Sequence, residues 1–162
     1  MKPGEIIRIA MFFLLGLLLM MWLQPLLYRQ RVFGVLRSMP LNEWIGKYYV
    51  AAWIVFGVSV LFTVGWYFLL LYNQGAPSRT LKLIWYLGLF LLVVAVSLVV
   101  YFNNRDAAGN LIQETVVSLM GLLFLDSVIV LYWLPTVTST PGLLKKKTVP
   151  MAKIVNHLMG RN

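Results

Sequence analysis

The sequence predicts an all-α integral membrane protein, a four-transmembrane-helix bundle with short interfacial amphipathic helices in the first loop and the C-terminal tail. Three observations predict it. Of 162 residues, 60% are hydrophobic and only 12% charged, against about 45–50% and about 25% in a soluble domain. Four stretches reach the roughly 20 residues needed to cross a hydrocarbon core. Gly, Pro and Asn gather between spans, as in "YNQGAPSR" and "NNRDAAGN". Residues 1–140 are expected to form one membrane domain, and 141–162 a basic tail.

The first span covers about 6–28, "IIRIAMFFLLGLLLMMWLQPLLY". Lys2 and Arg8 precede it as in a signal peptide, but the apolar run is too long and no small-x-small cleavage site follows. It reads as a retained span. Gln24-Pro25 marks a kink near its end.

The first loop, "RQRVFGVLRSMP", sets Val32, Val35, Leu36 and Met39 at i, i+3, i+4, i+7. That spacing predicts one helical face, flanked by Arg29, Arg31 and Arg37 and closed by Pro40. Span two follows at about 49–72, with Asn42 and Glu43 as a cap ahead of it. Span three covers about 81–102. Ahead of span four (about 111–134), Asn110 suits the N-cap, Gln113 the box position and Glu114 the favourable first turn. Tyr and Trp gather towards span ends, the depth that amphipathic rings prefer.

The tail, "KKKTVPMAKIVNHLMGRN", predicts a second surface helix. Met151, Ile154, Val155, Leu158 and Met159 share a face, with Pro150 at the start and Gly160 at the stop. Lys145, Lys146, Lys147, Lys153 and Arg161, like the loop arginines, are expected to meet anionic headgroups or a partner protein.

Four spans put both termini on one side. Nine cations fall there (Lys2, Arg8, Arg79, Lys82, Lys145, Lys146, Lys147, Lys153, Arg161) and five on the other (Arg29, Arg31, Arg37, Lys47, Arg105). The positive-inside rule then predicts cytoplasmic termini, in a bacterial inner or organellar membrane. The net charge of +9 is explained by these flanks, so nucleic acid is not an expected partner.

One residue stands out. Asp126 lies in "GLLFLDSVIVLYWLP", about 5 Å from the middle of span four, with no cation in the central turns of any span. Placing it there costs about 2.5–3.5 kcal/mol on an insertion scale. Counting from span centres puts Gly16, Thr63 and Gly88 at its level, with the glycines allowing close approach. A second polar layer would pair Ser97 with Ser118, about 7–8 Å to the other side. Thr115, Ser118, Leu122 and Asp126 share a helix face that should point into protein. Three roles stay open for the acid. It is neutral and hydrogen-bonded to Thr63 or a backbone carbonyl, or it meets a cation on another subunit, or it lines a wet path for protons or ions.

Enzyme chemistry finds little support. Without cysteine there is no disulfide, thiolate metal or thiol redox chemistry, and His157 is alone. A length near 160, four spans and an acid in the fourth resemble the rotor proteolipid of vacuolar-type ATPases. That family's helices are glycine- and alanine-rich, whereas "FLDSVIV" is not. "YNQGAP", "AAGNLIQ" and "LDSVIV" faintly resemble motifs of lipoprotein signal peptidase, a two-aspartate enzyme. Gln113 occupies the position of its first aspartate, and a dyad needs two carboxyls.

The sequence therefore points to a non-enzymatic, multi-pass accessory subunit that docks with a larger membrane complex and stabilises or regulates it. The alternative is an oligomeric proton or cation pathway through Asp126. No metal or cofactor is implied. Membrane lipids and other membrane protein subunits are the expected partners.

Overall fold

A computed structural model of the chain describes residues 3–73, 77–139 and 148–152. Four helices in it are long and apolar enough to cross a membrane. In hydrocarbon every backbone N–H and C=O must be satisfied internally, so long apolar runs without water become helices. These are α1 (Gly4–Arg29), α2 (Leu41–Tyr72), α3 (Ser78–Asn103) and α4 (Gln113–Thr138). Spans one, three and four fall within a few residues of these bounds. Span two does not, because α2 begins at Leu41 directly after Pro40. "LNEWIGKY" is too polar to extend an apolar window, yet it is helical, and it buries Trp44, Ile45 and Tyr48.

Helix α4 is the centre of the bundle. Half of its apolar window is buried, against 17%, 33% and 22% for α1, α2 and α3, and it packs on all three. Helices α2 and α4 run parallel and in register. Ser59 meets Ser127, Thr63 meets the Leu131 carbonyl and Tyr67 the Pro135 carbonyl, a constant separation of 68 residues. The start of α1 meets the end of α4 where the Arg8 guanidinium donates to the Thr138 carbonyl (3.1 Å).

Two helices contain widened turns with i→i−5 bonding, at Leu19–Leu23 in α1 and Leu125–Trp133 in α4. Each ends just before a proline, Pro25 or Pro135. Proline has no N–H, so a carbonyl one turn back loses its donor. Side chains of α2 replace it. Tyr48 and Tyr49 donate to the Met20 and Met21 carbonyls (2.8 and 3.4 Å), and Thr63 donates to that of Leu131 (2.6 Å).

The connectors differ from their sequence reading. Residues 31–40 are turns and extended chain rather than a helix. Arg31 and Gly34 adopt positive φ (58° and 100°), which ends helical continuation, and Phe33 and Leu36 fold back against the core. Asn42 caps nothing, since α2 begins a residue earlier. Asn110 is not the N-cap of α4 either; Ile112 is. Asn110 instead closes a tight turn by donating its backbone N–H to Asp106 Oδ1 (2.8 Å). That makes Asp106 the organiser of the loop. In the tail, Pro150 sits in a turn whose Val149 and Ala152 are buried against α2, α3 and α4. Lys145, Lys146, Lys147, Lys153 and Arg161, with most of the expected tail helix, lie outside the described residues.

Both glycines singled out by depth do sit at close approaches. A methyl group on Gly88 would lie 2.6 Å from the Tyr132 hydroxyl, and one on Gly16 would lie 2.5 Å from Leu131 Cδ2. Tyr132 cannot step aside freely, since its ring stacks on Trp85 and its hydroxyl donates to the Trp85 carbonyl (3.0 Å). Gly88→Ala is therefore expected to cost about 1–3 kcal/mol by overpacking. Gly57→Ala, which meets open space, should be neutral or slightly stabilising. Unfolding of the two variants in detergent micelles compares them directly.

Candidate functional site

Most of the buried polar side chains line up along α4 where it faces α1 and α2. At the first-loop end, Asn104 accepts from Trp44 Nε1 (3.2 Å) and Thr115 Oγ1 (2.9 Å), and donates to the Ile112 carbonyl (3.0 Å). Next, the Tyr28 hydroxyl meets Ser118 Oγ (2.8 Å). Deeper still lies Asp126, then Ser59 with Ser127 (2.8 Å). Thr63 and Tyr67 complete the line at backbone carbonyls (2.6 Å each).

Asp126 is fully enclosed, with 0% exposure. Its carboxyl is shielded from acyl chains by the chain's own helices, as the shared face with Thr115 and Ser118 required. Its partner is Gln24, whose side-chain amide donates to Oδ2. Oδ1 has no partner among the described residues. Both groups owe their positions to the widened turns. Asp126 is the second residue of the one in α4, and Gln24 follows the one in α1.

Tyr48 continues the contact. Its hydroxyl lies 2.6 Å from Gln24 Oε1 and 2.8 Å from the Met20 carbonyl, but it has a single proton to give. With an ionised acid, the amide donates to the carboxylate, and one of those two acceptors goes without. A neutral acid lets these three contacts close, with Oδ1 still unpartnered among the described residues. Its O–H donates to the amide oxygen, the turned amide donates to Tyr48, and Tyr48 donates to Met20. Amide orientation is assigned from such networks, and the neutral arrangement is the one that leaves fewest groups unsatisfied.

The expected partners of the acid are corrected by this geometry. Thr63 sits about one turn away and donates to Leu131. Ser97 and Ser118 do not pair, because Ser97 donates to the Val93 carbonyl of its own helix (2.8 Å) while Ser118 goes to Tyr28. Sequence reasoning missed Gln24, Tyr48, Tyr28, Asn104 and Ser59. Gln24 carried a signal, being an amide inside an apolar run and 3% exposed in the fold. Ser59, Thr63 and Tyr67 carried another, recurring every four residues along one face of α2.

Arg29 ends α1, and Arg31 and Arg37 lie in the first loop, at the end of the bundle away from the Arg8–Thr138 contact. Glu114 is more than a helix-start charge. Its Oε2 accepts from the backbone N–H groups of Arg37 (2.7 Å) and Ser38 (3.4 Å) and from Ser38 Oγ (3.3 Å), tying the loop to α4.

Removing the amide should strand the acid. Gln24→Leu is expected to cost about 1–3 kcal/mol, the penalty for an unsatisfied buried polar group. Gln24→Leu with Asp126→Leu should cost less than the two single changes summed, since the orphaned group is gone. Unfolding of all three variants in micelles measures the coupling, and strict additivity would refute a direct interaction.

No family model, no curated protein and no solved structure matches this chain.

Proposed function

We propose that the chain is a non-enzymatic, multi-pass membrane subunit that docks with other membrane proteins and stabilises or regulates their assembly. The observation that carries the reading is the direction of its polar groups. Side chains capable of chemistry in the membrane are turned inward and bonded within the chain, from Asn104 through Asp126 to Tyr67. The outside offers apolar helix surface instead, including Trp22 (68% exposed), Trp53 (55%) and Phe90 (62%). A rigid bundle with a greasy exterior suits packing against lipid and neighbouring helices. Anionic headgroups remain the proposed contact of the basic tail, and a bacterial inner or organellar membrane with cytoplasmic termini its proposed setting.

The acid as a proton or cation pathway is the second reading, favoured by the unpartnered Oδ1. Two features weigh against it. The Thr63 hydroxyl donates to the Leu131 backbone carbonyl, which accepts a hydrogen bond but has no proton to pass on. An acid enclosed by its own four helices also cannot be shared around a ring of subunits, or meet a partner's cation without opening the bundle.

Purification in mild detergent, with photo-crosslinkers placed at Trp53 and Phe90, tests the choice. Stoichiometric foreign subunits crosslinked at those positions are expected. A closed homo-oligomer with cation flux in proteoliposomes, abolished by Asp126→Asn, would support the pathway instead. On the docking reading, Asp126→Asn leaves assembly nearly intact, because a neutral amide can take the place of a neutral acid.

A further inference from the structure

We propose that the first loop and the start of α4 enclose a binding site for a small zwitterionic headgroup, a phosphate joined to a primary ammonium as in phosphatidylethanolamine. A cavity of about 100 Å³ lies beneath the loop, at the membrane-interface end of α1 and α2. Its walls carry one cation, Arg31, and one carboxylate, Glu114. Both are exposed at the cavity's rim, and they form no ion pair with each other among the described residues. The Arg31 guanidinium has no partner there. Glu114 spends only Oε2 on the loop and leaves Oε1 free.

The floor is aromatic. Tyr28 lies tilted against Trp44 and Phe33, with ring centroids 4.2 and 4.9 Å away. An ammonium between a carboxylate and such rings gains from both, through charge and cation–π attraction. A phosphate suits the planar fork of arginine. Arg37 and the loop N–H groups already act on Glu114. A purely anionic headgroup would satisfy Arg31 but gain nothing from the free Oε1, so the two lining charges favour a ligand carrying both signs.

The backbone fixes where Arg31 sits. Arg31 holds φ 58° as the left-handed cap that stops α1, where the Val32 N–H also donates to the Leu27 carbonyl (3.1 Å). It is held by bonds on both sides, its N–H donating to the Tyr28 carbonyl and its carbonyl accepting from Gly34 (3.0 Å each). The loop is an ordered strap over the cavity rather than the surface helix that its spacing suggests. The site is independent of the docking reading above, and either can fail alone.

Lipid retention by the purified full-length protein, read by native mass spectrometry, tests the assignment. Phosphatidylethanolamine is expected to bind about tenfold or more tighter than phosphatidylglycerol, the scale of one charge-assisted hydrogen bond. Glu114→Gln keeps an acceptor for the loop N–H groups and should erase that preference. Arg31→Asn, a residue that tolerates positive φ, should weaken both lipids. Competition with soluble O-phosphoethanolamine distinguishes the sources. Displacement of the lipid assigns recognition to the free headgroup chemistry, whereas a persistent lipid preference without displacement assigns the membrane-embedded lipid. Equal binding of the two lipids by the unaltered protein overturns the proposal without reliance on any variant. So does unchanged phosphatidylethanolamine binding in both variants.

Discussion

A carbonyl without a donor has no recourse inside a bilayer, and this fold is arranged around two places where proline creates one. Pro25 and Pro135 each withdraw an N–H from the helix that carries them. The hydroxyls of Tyr48, Tyr49 and Thr63 supply what is missing. All three lie on α2, which is thereby held against α1 and α4 by bonds that lipid cannot replace. Burial of Ala51 and Ala52 at 0% exposure shows how near that helix must come.

The same prolines account for the acid. A widened turn adds a residue to the helix and re-aims those around it. In α4 the widened stretch begins beside Asp126, and in α1 it ends beside Gln24. Two polar side chains that would each be a liability in hydrocarbon become one contact. Tyr48 then links that contact to a freed carbonyl, so the acid, the amide and the proline defect are parts of a single solution.

Much of this was legible in the residues. Apolar runs located four helices, the parallel sense of α2 and α4 followed from an even number of crossings, and the shielded face of Asp126 followed from Thr115 and Ser118. Gly16 and Gly88 were picked out as sites of close approach, although they lie level with Leu131 and Tyr132. The partner of the acid was not legible, for a definable reason. The apolar window of span two begins at Tyr49, but α2 starts at Leu41. That moves its centre by about four residues, close to one turn, and places Ser59 where Thr63 was expected. The contact with Gln24 depends on widened turns, which leave no apolar periodicity behind. In the first loop, i, i+3, i+4, i+7 spacing was outweighed by Gly34 and by the inward pull on Phe33 and Leu36.

The fixed separation of 68 residues between α2 and α4 also bears on how such a chain can change length. One residue inserted after Ser59 would swing Thr63 and Tyr67 around the helix by about 100°, carrying both hydroxyls off the carbonyls they serve. Additions between Asn73 and Pro77, or in the turn around Gly109, leave the beat of four undisturbed. Gains and losses of sequence should therefore collect in those connectors, and the helices should keep their residue count even where their apolar side chains drift.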